Sequence, residues 1–102
     1  MTKWADYCIS AVRYNAAETH IERVQVRVHN ADANTISAPT EWARTQVVSA
    51  IDRGNTFVTI YERDNHWHKG EDVRVITVNG VKYIRTDTNY KAADNLGNLP
   101  RY

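Results

Sequence analysis

The dipeptide Asn79-Gly80 is the sequence feature that most constrains the fold, because it joins two β-rich runs, 72–78 and 81–86. A type I′ turn needs positive φ at both central residues, and Asn-Gly is a preferred dipeptide for it. The sequence therefore predicts an antiparallel hairpin here. The two-residue turn also predicts the cross-strand pairs: Val78 with Val81, Ile76 with Tyr83, and Arg74 with Arg85.

Three further strands are predicted from composition and alternation. Tyr7 to Tyr14 is rich in aromatic and aliphatic residues and lies between Asp6 and Asn15. Ile21 to His29 alternates apolar and polar residues, as expected for a half-buried strand. Its apolar residues are Val24, Val26 and Val28, and its polar residues are Arg23, Gln25, Arg27 and His29. The run Asn55 to Tyr61 is also β-rich.

A single helix is predicted to begin at Pro39 and to end at Arg53 and Gly54. Ser37 or Thr40 is the expected N-cap. Helical spacing places several apolar residues on one face: Ala43, Val47, Ala50 and Ile51. Trp42 does not fall on this face.

The predicted element order is β-β-α-β-β-β, with connections at 15–20, 30–38 and 62–70. The fold class is α+β: a single domain over residues 1–102, with one helix packed on an antiparallel sheet of about five strands. One core is expected to unite Val24, Val26, Val28, Val47, Ile51, Val58, Ile60, Val75 and Ile84.

The C-terminal segment 87–102 (DTNYKAADNLGNLPRY) combines turn-forming residues with Tyr90, Leu96 and Leu99. Burying each of these large side chains stabilises a fold by about 1.5–3 kcal/mol, so this tail is expected to be ordered against the hairpin. We expect Leu96 and Leu99 to be buried and Gly97 to lie in a turn. We also expect Asp87 or Asp94 to approach Arg74 or Arg85.

Charge and cysteine content limit the classes of function. The 13 basic and 12 acidic residues give no overall field, which argues against a general nucleic-acid coat protein. Cys8 is the only cysteine and is expected to be a buried, inert thiol. We find no signal peptide and no apolar run of about 20 residues, so we expect a cytoplasmic protein without membrane contact.

Four segments carry a resemblance to a known family: YCISAVRYN, IDRGNTFVT, KYIRTDTN and DNLGNLP. Together they resemble a family of short bacterial proteins designated domain of unknown function 3892. The resemblance implies a bacterial or prophage origin and a fold shared with that family. It implies no activity, substrate or catalytic residue.

The predicted pairing of Arg74 with Arg85 is a candidate binding site. Two opposed arginines repel each other unless an anion lies between them. A carboxylate of Glu62, Glu71, Asp72 or Asp87, or backbone carbonyls of the tail, would serve this purpose. Alternatively, two guanidinium groups form a clamp for a phosphate or carboxylate ligand.

The linker motif His66-Trp67-His68 is a second candidate. In an extended segment both histidines point the same way, as a shared metal ion would require. The third ligand would have to be Glu62, Asp64, Asp72, His20 or His29. The other interpretations are an exposed loop whose Trp67 covers the sheet edge, and a contact loop for a partner protein.

The outward face of the second strand is a third candidate. It carries Arg23, Gln25, Arg27 and His29, and Arg13 of the neighbouring strand could join them in a basic stripe. Such a stripe beside Tyr7 or Tyr14 suits single-stranded nucleic acid. An ordinary solvated strand face has the same composition and is the alternative interpretation.

No serine–histidine–aspartate pattern, glycine-rich phosphate loop or paired-carboxylate motif occurs, so we expect neither an enzyme nor a cofactor. Trp4, Trp42 and Trp67 all fall outside the predicted apolar faces. We therefore expect a small binding module that contacts a protein partner or an anionic ligand. Nucleic-acid binding through the Arg13/Arg23/Arg27 face is the alternative. The sequence does not indicate the oligomeric state.

Overall fold

The computed structural model describes residues 4–17, 20–30, 32–33, 35–86, 94–97 and 99–102. Its strands are β1 (Tyr7–Tyr14), β2 (Ile21–Arg27), β3 (His29–Asn30), β4 (Thr35–Ile36), β5 (Thr40–Ala43), β6 (Phe57–Arg63), β7 (His66–Val78) and β8 (Val81–Arg85). The helix α1 covers Arg44–Asp52, between β5 and β6. A six-stranded sheet has the order β5-β2-β1-β6-β7-β8, and β3 pairs separately with β4. The fold is α+β, as predicted.

The sheet is mixed, whereas an antiparallel sheet of about five strands was predicted. β1 and β6 are parallel, with Tyr7 opposite Phe57 and Ile9 opposite Thr59. The reason lies in α1, which carries the chain from β5 across β2 and β1 to β6. A crossover of this kind delivers the next strand parallel to the one before the helix.

The predicted start of the helix at Pro39 was wrong, because a short strand comes before the helix. Thr40–Ala43 forms β5, antiparallel to β2, and the helix begins only at Arg44. Neither Ser37 nor Thr40 is the N-cap; the Ala43 N–H instead donates to Gln46 Oε1 at 2.7 Å. Trp42 therefore lies on a strand, with its ring centroid 4.8 Å from that of Tyr7, which explains its absence from the helical face. The predicted C-terminal end is confirmed: α1 ends at Asp52, and Gly54 has a φ of 97°.

The predicted linker 62–70 is a second hairpin. Asp64 and Asn65, with φ of 55° and 62°, form the turn between β6 and β7. Asp and Asn reach this left-handed region more easily than other non-glycine residues. The register predicted for the hairpin at Asn79-Gly80, which joins β7 and β8, is confirmed, including Arg74 opposite Arg85.

Two apolar clusters replace the single predicted core. The first packs α1 against one sheet face, and includes Val24, Val26, Val47 and Ile84, with Ile51 and Val75 half-buried at its border. The second lies on the opposite face and contains Ala5, Cys8, Val58 and Ile60. β1 and β6 are thus covered on both faces, as central parallel strands usually are. Val28 is 41% exposed because β2 ends at Arg27.

The C-terminal segment joins two distant strands. Asn95 lies beside β8, where its N–H donates to the Ile84 carbonyl at 2.9 Å. Further along, the Val12 N–H of β1 donates to the Pro100 carbonyl at 2.9 Å. Leu96 between them is buried, as predicted, while Leu99 is half-buried against the first cluster. Gly97 has a φ of 76°, consistent with the predicted turn. Tyr90 and Asp87 lie outside the described residues.

Gly70 occupies a point where β6 and β7 approach too closely for a side chain. A Cβ atom here would lie 2.4 Å from Thr59 Oγ1 and 2.9 Å from the Thr59 carbonyl oxygen. We expect Gly70→Ala to lower the free energy of unfolding by about 1–3 kcal/mol through overpacking, as measured by urea denaturation. Lys69→Ala, at the exposed neighbouring position, should change it by less than about 0.5 kcal/mol. Equal unfolding midpoints for the two variants would contradict the close approach.

Candidate binding site

The arginine pair is in the predicted register but does not form an open clamp. Arg74 is exposed, whereas Arg85 is only 3% exposed. Two guanidinium groups are therefore not presented side by side to solvent. Arg74 remains available at the surface.

Asp94, one of the two carboxylates predicted to approach Arg74 or Arg85, pairs with Arg44 among the described residues. Its buried carboxylate accepts hydrogen bonds from the Ile84 N–H (2.8 Å) and the Ile21 N–H (2.9 Å), and Arg44 Nη1 lies 3.6 Å from Oδ1. The outer edge of β8 presents the Ile84 N–H without a strand partner, and the carboxylate satisfies it. Asp87, the other predicted partner, lies outside the described residues.

The histidines of the His66-Trp67-His68 motif lie at the beginning of β7 and not in a loop. His68 stacks on Tyr61, with ring centroids 5.3 Å apart. Trp67 packs against the second apolar cluster. In the described part of the chain, no three His, Cys, Asp or Glu side chains are grouped as a metal site would need.

The predicted basic stripe is divided into two parts. Arg13 lies opposite Arg23, and Arg23 Nε is 3.3 Å from Glu41 Oε1. The Tyr102 hydroxyl also approaches Glu41, at 3.5 Å. Partial burial and the Glu41 carboxylate raise the pKa of Tyr102, because both disfavour the phenolate. An acidic side chain therefore interrupts this end of the stripe.

Arg27, at the other end, is held in one orientation. Its Nε donates to Ser10 Oγ at 2.9 Å, and its Nη1 donates to the Ser37 carbonyl at 3.2 Å. The guanidinium carbon lies 4.8 Å from the centroid of the Trp67 ring, a cation–π geometry. Two residues predicted as separate binding candidates are thus brought together.

Beside this pair is a cleft of about 360 Å³, here called the Trp67 cleft. Its lining comes from the N-terminal segment, the β3–β4 pair and the β6–β7 turn: Trp4, His29, Thr35, Ile36, Asn65, His66 and Trp67. No carboxylate occurs among these described lining residues. The cleft is therefore aromatic and polar without negative charge.

His29, predicted on the polar face of β2 and as a possible metal ligand, is a buried part of this cleft. It is 1% exposed, and its ring stacks on Trp4 with centroids 4.4 Å apart. Its Nδ1 accepts a hydrogen bond from the Trp4 N–H at 3.1 Å, so a neutral ring carries its proton on Nε2. No described residue is a hydrogen-bond partner of that Nε2. The alternation of β2 predicted an outward-facing His29, whereas the structure buries it.

No described helix is long and apolar enough to cross a membrane. Searches of the curated proteins and of the solved structures found no match to the chain. A family model described as "Protein of unknown function (DUF3892)" matches residues 8–100, which is nearly the whole chain. The chain therefore belongs to the DUF3892 family, as its sequence resemblance implied.

Proposed function

We propose that this chain is a non-enzymatic binding domain of a bacterium or its phage, acting in the cytoplasm, and that its contact surface is the Trp67 cleft with Arg27. The observation that carries this proposal is the pre-oriented Arg27–Trp67 pair beside a concave aromatic surface. Tryptophan and arginine are the residues most enriched among binding hot spots. Groups already held in place lose little conformational entropy when a partner binds.

The charge of the cleft favours an anionic group on the protein partner or ligand. Arg27 supplies a positive charge beside the cleft through its contact with Trp67. His66 adds hydrogen-bonding capacity at the cleft wall. The Nε2–H of His29 has no acceptor among the described residues, and a buried unpaired donor is costly. An oxygen-rich group would suit this environment better than a cation would.

Affinity capture from a bacterial lysate tests this proposal when immobilised wild-type protein is compared with Trp67→Ala and Arg27→Gln. We expect a specific set of proteins or anionic small molecules to be retained by the wild type, with at least about tenfold less retained by each variant, since hot-spot truncations cost about 2 kcal/mol or more.

Val81→Ala is the matched control, because Val81 is exposed but lies on β8, outside the cleft. It should retain the same set as the wild type. Equal retention on all four columns would refute the Trp67 cleft as the contact surface. Circular dichroism of each variant would show that the fold is intact.

Nucleic-acid binding through Arg13, Arg23 and Arg27 is the second candidate. The observation in its favour is that Arg13 and Arg23 are both exposed and lie opposite each other on β1 and β2. The nearby Glu41 weakens this case. Fluorescence anisotropy with labelled single-stranded DNA separates the two candidates.

If DNA is the ligand, affinity should fall steeply with salt, and Arg13→Gln should reduce the slope. Binding that is absent at about 50 mM salt, or is insensitive to salt, would exclude this candidate.

A further inference from the structure

The edge of β7 that faces away from β8 carries backbone groups without a strand partner. Val75 lies opposite Ile84 in the hairpin. The Ile84 N–H and C=O point out of that hairpin, to Asp94 Oδ1 at 2.8 Å and the Asn95 N–H at 2.9 Å. In an antiparallel pair, the backbone N–H and C=O groups of two opposed residues either all point towards the partner strand or all point away from it. The N–H and C=O of Val75 therefore point away from β8, and those of Thr77, two residues on, do the same.

β6 does not cover this edge. It accompanies β7 only as far as the pair of Phe57 with Val73, and the chain then turns away towards α1. Beyond that pair, no described residue bonds to the backbone of Val75 or Thr77. About 17 Å of strand, from Arg74 to Val78, thus has one open edge.

A cleft of about 670 Å³ runs beside this open edge. The end of α1 borders it on one side with Ile51 and Asp52, and Trp4 borders it on the other. Val75 and Thr77 both line the cleft, so the unpaired backbone groups are accessible from it. Extended peptides add as a further strand to exposed sheet edges of this kind, with pockets beside the edge taking alternate side chains.

The charges around the cleft indicate what such a peptide would carry. Asp52 is neutralised by Lys82, whose Nζ lies 2.6 Å from its Oδ2. Asp72 and Arg74 also line the cleft, and no described carboxylate forms an ion pair with Arg74. An acidic side chain on the peptide would complement Arg74, and apolar side chains on its other face would contact Ile51.

We propose that this cleft binds an extended peptide segment of a partner protein. The peptide adds as a strand to the Val75–Thr77 edge, with an acidic residue facing Arg74. A second copy of this chain is a poorer occupant. The end of α1 and Trp4 border the edge, and the same groups of a second copy would collide with them if the two edges paired. The site shares Trp4 with the Trp67 cleft, but its open strand edge involves neither Trp67 nor Arg27.

The probe is a fluorescently labelled peptide of about eight residues that alternates valine with threonine and carries one central glutamate. We expect it to bind the wild-type protein in anisotropy titrations and to slow hydrogen exchange at the Val75 and Thr77 amides. N-methylation of alternate peptide amides should weaken binding about tenfold or more, because it removes the donors that the edge requires.

Thr77→Pro and Thr77→Ala form a matched pair of variants. Proline removes the N–H that points into the cleft and leaves the ladder to β8 intact, a position at which edge strands tolerate it. We expect Thr77→Pro to weaken peptide binding about tenfold and Thr77→Ala to leave it within about twofold. Arg74→Gln should weaken it several-fold, while Val81→Ala, at an exposed position outside the cleft, should leave it unchanged.

Four results would overturn the proposal. They are no binding of the peptide to the wild type at millimolar concentration, equal binding of the N-methylated peptide, equal binding to Thr77→Pro, and a concentration-dependent dimer of this chain that Thr77→Pro abolishes. The N-methylated peptide keeps the test decisive even if Thr77→Pro fails to fold.

Discussion

Deleting residues 94–102 is expected to lower the melting temperature by at least about 15 °C or to leave the chain unfolded at room temperature. The deletion removes the buried Leu96 side chain, whose burial contributes about 1.5–3 kcal/mol. It also leaves the amides of Ile21 and Ile84 without their acceptor, which costs about 1–3 kcal/mol for each amide. It also removes the backbone bonds that this segment makes to Val12. These losses together approach the whole stability of a domain of this size.

Circular dichroism melting of the full and shortened chains provides the measurement. Pro100→Ala is the control, because Pro100 is exposed and the alanine keeps the carbonyl that accepts from the Val12 N–H. It should melt within a few degrees of the wild type. A shortened chain with an unchanged melt would show that the C-terminal segment is not part of the fold.

Asp94→Ala is expected to be the most damaging single substitution, costing about 3–5 kcal/mol of unfolding free energy. The carboxylate is the acceptor for two buried backbone amides on different strands, and it lies 3.6 Å from the Arg44 guanidinium. Alanine leaves all three groups without this partner. Urea denaturation of the variant measures the loss.

Asp52→Ala is the matched control for this substitution. Asp52 also forms an ion pair, with Lys82 at 2.6 Å, but both side chains are nearly half exposed. Exposed pairs of this kind contribute about 1 kcal/mol or less. If Asp94→Ala were no more destabilising than Asp52→Ala, the buried carboxylate would not hold the sheet together as described.

Local chemistry in the sequence predicted most of the local structure. Asn79-Gly80 determined the hairpin register, and the valines of β2 identified its buried face, because both signals depend on neighbouring residues alone. The β6–β7 hairpin was missed because Asp64-Asn65 is a weaker turn signal than Asn-Gly. The parallel pairing of β1 with β6 depends on where the crossover helix lands, which no local pattern specifies.

The candidate site shows the same division between local and long-range information. Trp67 and Arg27 were recognised as binding residues by their type. Their stacking was not predicted, because it brings together residues that are forty positions apart in the chain. Trp4 and His29 are twenty-five positions apart and meet only in the folded chain, so no local pattern indicates that Nε2 of His29 lacks a partner among the described residues.

Residue-resolved amide hydrogen exchange tests the central claim most directly: the C-terminal segment seals the edge of β8, while the edge of β7 at Val75 and Thr77 stays open. We predict slow exchange for the amides of Ile21 and Ile84, which donate to Asp94, and for the amide of Asn95, which donates to the Ile84 carbonyl. The amides of Val75 and Thr77, in the same hairpin, should exchange much faster. Equal protection of the two edges, or fast exchange at Ile84, would contradict the account.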